Sequence, residues 1–216
     1  MTWSPNGEYL AAAAYEVRGP DPAVEEDVFL WPVRSATPRR LRGHEASVFG
    51  VAFSPDSRWL ASGSLDHTVR LWEIATGRSR VLTGHGDLVA NVAFTPDGRS
   101  LLSTSNDGTS RLWDLASGES RILRPGGLIP IEVSRDGRFV LLYTNLWDLA
   151  TLERRELGPP GQGYLALSPD GLFAAGLDRR GRLQLWDNGL PTDPVGLRAW
   201  LERATDHEVR LGTPPE

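Results

Sequence analysis

Apolar and polar residues follow one another along this chain in short blocks of strand length. Val48–Phe53 and Val89–Phe94 are runs of mostly apolar residues, the pattern of strands covered on both faces. Each run stops at a polar turn, Ser54–Ser57 or Thr95–Gly98. Proline presets φ for the first central position of such a turn, and glycine accepts the positive φ that follows. A second strand is predicted from Trp59 to Gly63 and a further turn at Leu65–Thr68. A third strand, Val69–Trp72, places Val69 and Leu71 on one face, and the polar stretch Arg78–Leu82 supplies a fourth.

This unit is repeated. A turn of the form Ser/Thr-Pro-Asp/Asn-Gly/Ser occurs at Ser4–Gly7, Ser54–Ser57, Thr95–Gly98 and Ser168–Gly171, with a degenerate copy at Ser134–Gly137. A Leu-Trp pair follows each one, ending at Trp31, Trp72, Trp113, Trp147 and Trp186. The second turn residue and the tryptophan lie 17 positions apart in copies two, three and five, 26 in copy one and 12 in copy four. From each tryptophan to the next turn the spacing stays between 22 and 24. Length variation is therefore confined to the connection between the second and third strands, because loops accept insertions and paired strands do not.

Copies two and three also open on Gly43-His44 and Gly84-His85 and close on Trp72-Glu73 and Trp113-Asp114. Four short strands about every 40 residues with these markers resemble the WD40 repeat, over roughly Met1 to Asp187. The fold the resemblance implies is all-β: a β-propeller of about five four-stranded blades, near 1–42, 43–83, 84–123, 124–157 and 158–187, then a tail over 188–216. In that tail Leu197, Trp200, Leu201 and Ala204 fall on one stripe of a predicted short helix after Pro194, placed to pack on the propeller or to dock a partner. Five blades turn about 72° each and seven about 51°, so one wedge packing does not serve both. The chain is expected to be a monomeric five-bladed ring or the C-terminal part of a larger array.

Within the family, a histidine, a hydroxyl, the turn aspartate and the tryptophan form a buried hydrogen-bond network. Carried over residue by residue, the resemblance implies the sets His44, Ser62, Asp66, Trp72 and His85, Ser103, Asp107, Trp113. A Ser-His-Asp hydrolase triad is the rival for these letters. Two equivalent triads in one chain and no Gly-x-Ser-x-Gly elbow speak against it, while an indole N–H and a hydroxyl inside a sheet need partners. Copies one, four and five lack the Gly-His, and copy five has Arg180 at the turn aspartate's place, so those blades are expected to rely on packing. Copies two and three are expected to be the most stable blades and copy four the least.

Composition narrows the function. Cysteine is absent, which excludes disulfides, thiolate chemistry and Cys-ligated zinc and suits a reducing, cytoplasmic setting. All 23 basic residues are arginine, scattered along a chain of net charge −5, which argues against nucleic acid as a partner. Arginine without lysine, with abundant Ala, Gly and Pro, is the bias of a GC-rich genome and points to bacteria. No apolar run reaches the roughly 20 residues of a membrane span. The four histidines show no metal-ligand spacing, and neither metal nor cofactor is expected.

What is left is a binding platform and not an enzyme. Its partner is expected to be a protein or peptide at a rim bearing Glu45, His67, Asp87, Asn106, Arg179 and Arg180. The alternative is a regulatory end of a larger signalling protein with a kinase or nucleotide-hydrolysing module elsewhere. The acidic insertion Glu16–Asp27 reads as a solvated hairpin extension or a partner-facing loop.

Overall fold

The computed structural model describes residues 1–13, 27–35, 37–124, 129–157, 166–177 and 183–187, and all its regular structure is β. The first sheet holds β1 (Thr2–Trp3), β2 (Tyr9–Ala13), β3 (Val28–Pro32) and β4 (Arg39–Leu41). The second holds β5 (Val48–Phe53), β6 (Trp59–Ser64), β7 (Val69–Glu73) and β8 (Ser79–Leu82), and the third β9 (Val89–Phe94), β10 (Ser100–Ser105), β11 (Ser110–Asp114) and β12 (Ser120–Leu123). The fourth comprises β13 (Ile131–Val133), β14 (Phe139–Leu142), β15 (Asn145–Asp148) and β16 (Glu153–Glu156). The described part of the fifth is β17 (Ala166–Leu167), β18 (Phe173–Leu177) and β19 (Leu183–Asp187). Every sheet is an antiparallel meander with its strands in chain order. These are propeller blades, five of them, and the predicted strand limits differ by a residue: β6 runs on to Ser64 and β8 begins at Ser79.

The polar turn that opens each blade is held the same way in all five. The Ser54 hydroxyl donates to Asp56 Oδ1 at 2.6 Å and accepts the Trp59 N–H at 2.9 Å, while Asp56 Oδ1 also takes the Arg58 N–H at 3.0 Å. Ser4, Thr95, Ser134 and Ser168 stand in the same place in the other blades. The last turn residue has positive φ throughout, and Ser57, at φ 58°, is the one copy that is not glycine. Its hydroxyl is used instead: Ser57 Oγ accepts the Asn6 N–H of the first blade at 3.1 Å.

No blade has a core of its own. Leu30, Val28 and Leu41 of the first blade pack with Phe53, Leu60 and Trp72 of the second. Leu71, Val69 and Leu82 of the second pack in turn with Phe94, Leu101 and Trp113 of the third. Leu102 and Leu123 meet Val140, Leu142 and Trp147, and Leu141 and Leu146 meet Ala174 of the fifth. The first strand of each blade lies against the first and second strands of the blade before it. Fully burying one such Leu or Val is worth roughly 1.5–3 kcal/mol. Because each of the three middle sheets buries two faces against two neighbours, successive copies must present matching faces.

One feature departs from the sequence reading, and the shortened connection of copy four is found where the spacing places it. Asp27, placed at the end of a solvated insertion, is 3% exposed and ion-paired with Arg40, whose guanidinium also lies over the Phe29 ring. Copy four turns directly from β14 to β15 at Tyr143 and Thr144, a hairpin too short to carry the aspartate turn of copies two and three. The tail helix, the glycine- and proline-rich stretch Gly158–Gly163 and residues 14–26 of the insertion lie outside the described residues.

Candidate functional site

Pairing within the second blade sets Ser62 opposite Arg70, two positions along the ladder from the Leu60–Trp72 pair. The Trp72 indole thus reaches back across the sheet, and its N–H donates to Ser62 Oγ at 2.8 Å. Ser62 Oγ lies 2.7 Å from His44 Nε2, and His44 Nδ1 lies 2.7 Å from Asp66 Oδ2. With a carboxylate at Nδ1, that nitrogen carries the proton, so the Ser62 hydroxyl donates to Nε2 while accepting from the indole. In the third blade the distances are 3.0 Å for His85 Nδ1 to Asp107 Oδ2, 2.7 Å for His85 Nε2 to Ser103 Oγ and 2.8 Å for Trp113 Nε1 to Ser103 Oγ.

The aspartate anchors the far end. Asp66 accepts the Glu45 N–H at 3.0 Å, the Thr68 N–H at 2.9 Å and the Thr68 hydroxyl at 2.6 Å besides the histidine. Burial opposes its ionisation, but the hydrogen bonds from His44, Thr68 and the Glu45 backbone outweigh it and hold the carboxyl well below the usual range. Asp107 is shifted the same way: burial is overcome by Thr109, the Gly86 N–H and His85. Burial lowers the His85 pKa, against the opposing pull of Asp107.

Thr68 and Thr109 belong to the network and were missed in the sequence. So were Arg70 and Arg111, whose guanidinium carbons sit 5.8 Å above the Trp72 and Trp113 rings. The signal was present in Thr-x-Arg-Leu-Trp, which stands at one offset in both copies. The glycine before each histidine is set by the backbone: Gly43 and Gly84 stand at φ 153° and 148°, where an L side chain is strained, with the guanidinium ends of Arg70 and Arg111 close by.

Ser62 and Ser103 are wholly buried, and both hydroxyls are already engaged on two sides. A nucleophile so placed cannot meet a substrate. In the first blade Ala12 stands opposite Phe29, where Ser62 stands opposite Arg70 in the second. In the fourth, Leu142 takes the serine's place, and the buried Trp147 Nε1 has no partner.

The rim candidates divide. Asp87 Oδ2 accepts Asn106 Nδ2 at 2.8 Å, and Oδ1 accepts the Leu88 N–H at 2.6 Å. The Leu88 N–H, then Asn106, hold the Asp87 carboxyl below its ordinary range, with a smaller favourable pull from His67. Glu45 and His67 are exposed beside the Asp66 turn, His67 at φ 67°. Glu45, His67, Asp87 and Asn106 therefore share the end of blades two and three where the blade connections and the second-to-third strand turns lie. Arg179 and Arg180 lie outside the described residues. Among the described residues no group of His, Asp or Glu could hold a metal ion, and no helix is long and apolar enough to cross a membrane.

Five antiparallel sheets stack face to face as propeller blades, and two of them are built round the same His-Ser-Asp-Trp arrangement. The family model for the WD domain, G-beta repeat, matches residues 36–73 and 77–114. The chain carries two WD40 repeats in these segments, each made of the outer strand of one blade and the three inner strands of the next, β4–β7 and β8–β11, and such repeats generally mediate protein–protein interaction. No curated protein matches the chain.

Proposed function

We propose that this chain is a non-enzymatic interaction platform whose partner is a protein or peptide held at the rim of blades two and three. One observation carries the reading. The groups with chemical potential, His44, Ser62, His85 and Ser103, are sealed inside the blades, while half-buried Asp87 and exposed Asn106 are joined at the same end of blades two and three as exposed His67 and Glu45. Rigid strands hold these loop residues in place, so little entropy is lost when a ligand meets them. Two carboxylates on a chain of net charge −5 favour a peptide that carries arginine or lysine.

The test is selection from a displayed peptide library on the 216-residue chain, with a variant carrying Glu45→Ala, Asp87→Ala and Asn106→Ala as counter-target. The reading expects basic peptides that bind the native rim and lose about tenfold or more in affinity on the variant, which should melt within a few degrees of the parent. Selected peptides indifferent to all three substitutions would overturn it.

A further inference from the structure

Strands of an antiparallel meander alternate in direction, so the turns Ser54–Ser57 and Thr95–Gly98, and those that follow β7 and β11, lie at the end of blades two and three opposite the Glu45–Asp87 rim. At that end the seam between the two blades is open. Trp59, Leu71 and Arg80 of one blade and Gly98 and Leu115 of the next enclose a cleft of about 200 Å³. Leu71 is buried in it, Leu115 half-buried, and Trp59 36% exposed.

The seam between blades one and two is closed at the same places. Pairing and turn bonds set Tyr9, Leu30, Arg39, Ser57 and Ile74 there where the open seam has Trp59, Leu71, Arg80, Gly98 and Leu115. Ile74 is 5% exposed, and buried Ser57 has its hydroxyl on the Asn6 N–H, a filling that Gly98 cannot supply. The blades also stand further apart. A Cβ on Gly77 would lie 3.5 Å from Arg39 of the preceding blade, whereas one on Gly118, its counterpart, would meet nothing within 4 Å. An arginine bridges both seams, Arg39 to the Ile74 carbonyl and Arg80 Nη2 to the Leu115 carbonyl at 2.7 Å.

Around the cleft the carboxylates are engaged and the guanidinium groups are not. Asp56 and Asp97 accept the Ser54 and Thr95 hydroxyls at 2.6 Å, Glu73 accepts the Thr76 hydroxyl at 2.6 Å, and Asp114 accepts the Ala116 and Ser117 N–H groups. Arg58 precedes Trp59, Arg78 lies two residues before Arg80, and the Arg99 carbonyl holds the Leu115 N–H. These three arginines are exposed, and none forms an ion pair among the described residues.

We infer that this cleft docks a short acidic segment of a partner protein, in which one leucine or phenylalanine side chain fills the recess and flanking carboxylates pair with Arg58 and Arg99. A cavity of about 150 Å³ accommodates a benzene ring, so the recess has room for one such side chain. Unpaired guanidinium donors on both sides of an apolar slot select carboxylates next to the anchor. The site lies at the other end of the blades from the rim and takes the opposite charge, so the inference stands independently of the rim reading.

Fluorescence polarisation on the full chain is the test, with labelled hexapeptides of Asp and Glu that carry one central Leu, Phe or Ala. The Leu and Phe peptides are expected to bind with Kd below about 100 µM, and the Ala peptide about tenfold or more weaker, the worth of one buried apolar side chain. Trp59→Ala, and separately the pair Arg58→Glu and Arg99→Glu on exposed positions, should each weaken the Leu peptide about tenfold or more. Glu45→Ala with Asp87→Ala on the rim should leave it within about twofold. Melting within a few degrees of the parent checks that each variant is folded. No binding of the Leu or Phe peptide up to about 1 mM, equal binding of the Ala peptide, or affinity indifferent to Trp59→Ala and to the arginine reversals would each overturn the inference.

Discussion

Replacing Ser62 by alanine probes the buried network at its narrowest point. The Ser62 hydroxyl is the acceptor for the Trp72 indole at 2.8 Å and the partner of His44 Nε2 at 2.7 Å, with side chains that are essentially sealed from water. Removing one oxygen strands one donor and one acceptor, and each buried unpaired group costs about 1–3 kcal/mol. The expected loss is about 2–6 kcal/mol. In a chain of this length that corresponds to a fall in melting temperature of about 4–24 °C. Urea unfolding followed by tryptophan fluorescence gives the free energy directly, with exposed Thr76→Ala as a control expected to stay within about 0.5 kcal/mol. Ser103→Ala should behave alike, and the double variant should exceed either single one, since the two networks lie in separate blades. A loss below about 0.5 kcal/mol for Ser62→Ala would refute the reasoning, for it would mean that water reaches these groups.

Further predictions concern pH, strain and the first blade. The carboxyls of Asp66 and Asp107 are depressed in the folded state, so the unfolded chain binds more protons as pH falls through about 4. Stability from this source is complete above that pH and lost below it, and Asp66→Asn should make urea midpoints between pH 5 and 3 fall less steeply than in the parent. His85 is also depressed in the folded state, so its contribution is lost as pH falls below about 6.5, and His85→Gln should shrink the midpoint difference between pH 7 and 5. Gly43 stands at φ 153°, where an L side chain is strained, so Gly43→Ala is expected to cost about 1–3 kcal/mol by urea unfolding, a loss that Arg70→Ala beside it does not recover. Asp27→Ala removes the buried partner of half-exposed Arg40 and should cost about 1–3 kcal/mol, whereas an insertion that were solvated to its end would give almost none.

Repetition decided what could be read from the sequence. Val48–Phe53 and Val89–Phe94, their polar turns and their tryptophans stand 41 residues apart, and strand limits taken from them match the sheets to within a residue. His44, Ser62, Asp66 and Trp72 recur at that same offset in the next copy, and the structure joins both sets by hydrogen bonds. Thr68 and Arg70 recur just as strictly but lie on an exposed-looking turn and an alternating strand, where polar residues attract no notice. Features present in one copy escaped. Asp27 sits one residue before β3 with nothing in the letters to bring Arg40 to it, since the pairing of β3 with β4 depends on register. The unpaired indole of Trp147 follows from Leu142, a residue that reads as ordinary strand until the ladder shows which position it holds.

The account rests on the His-Ser-Asp sets being sealed framework that leaves the rim as the working surface. Hydrogen exchange of the indole N–H groups, followed by NMR on tryptophan-labelled protein at neutral pH, tests this most directly. The account predicts that Trp72 and Trp113 stay protected until the blades open globally, while exposed Trp3 exchanges at once. Exchange of Trp72 and Trp113 as fast as that of Trp3 would contradict it, because solvent, and a substrate, could then reach Ser62 and Ser103.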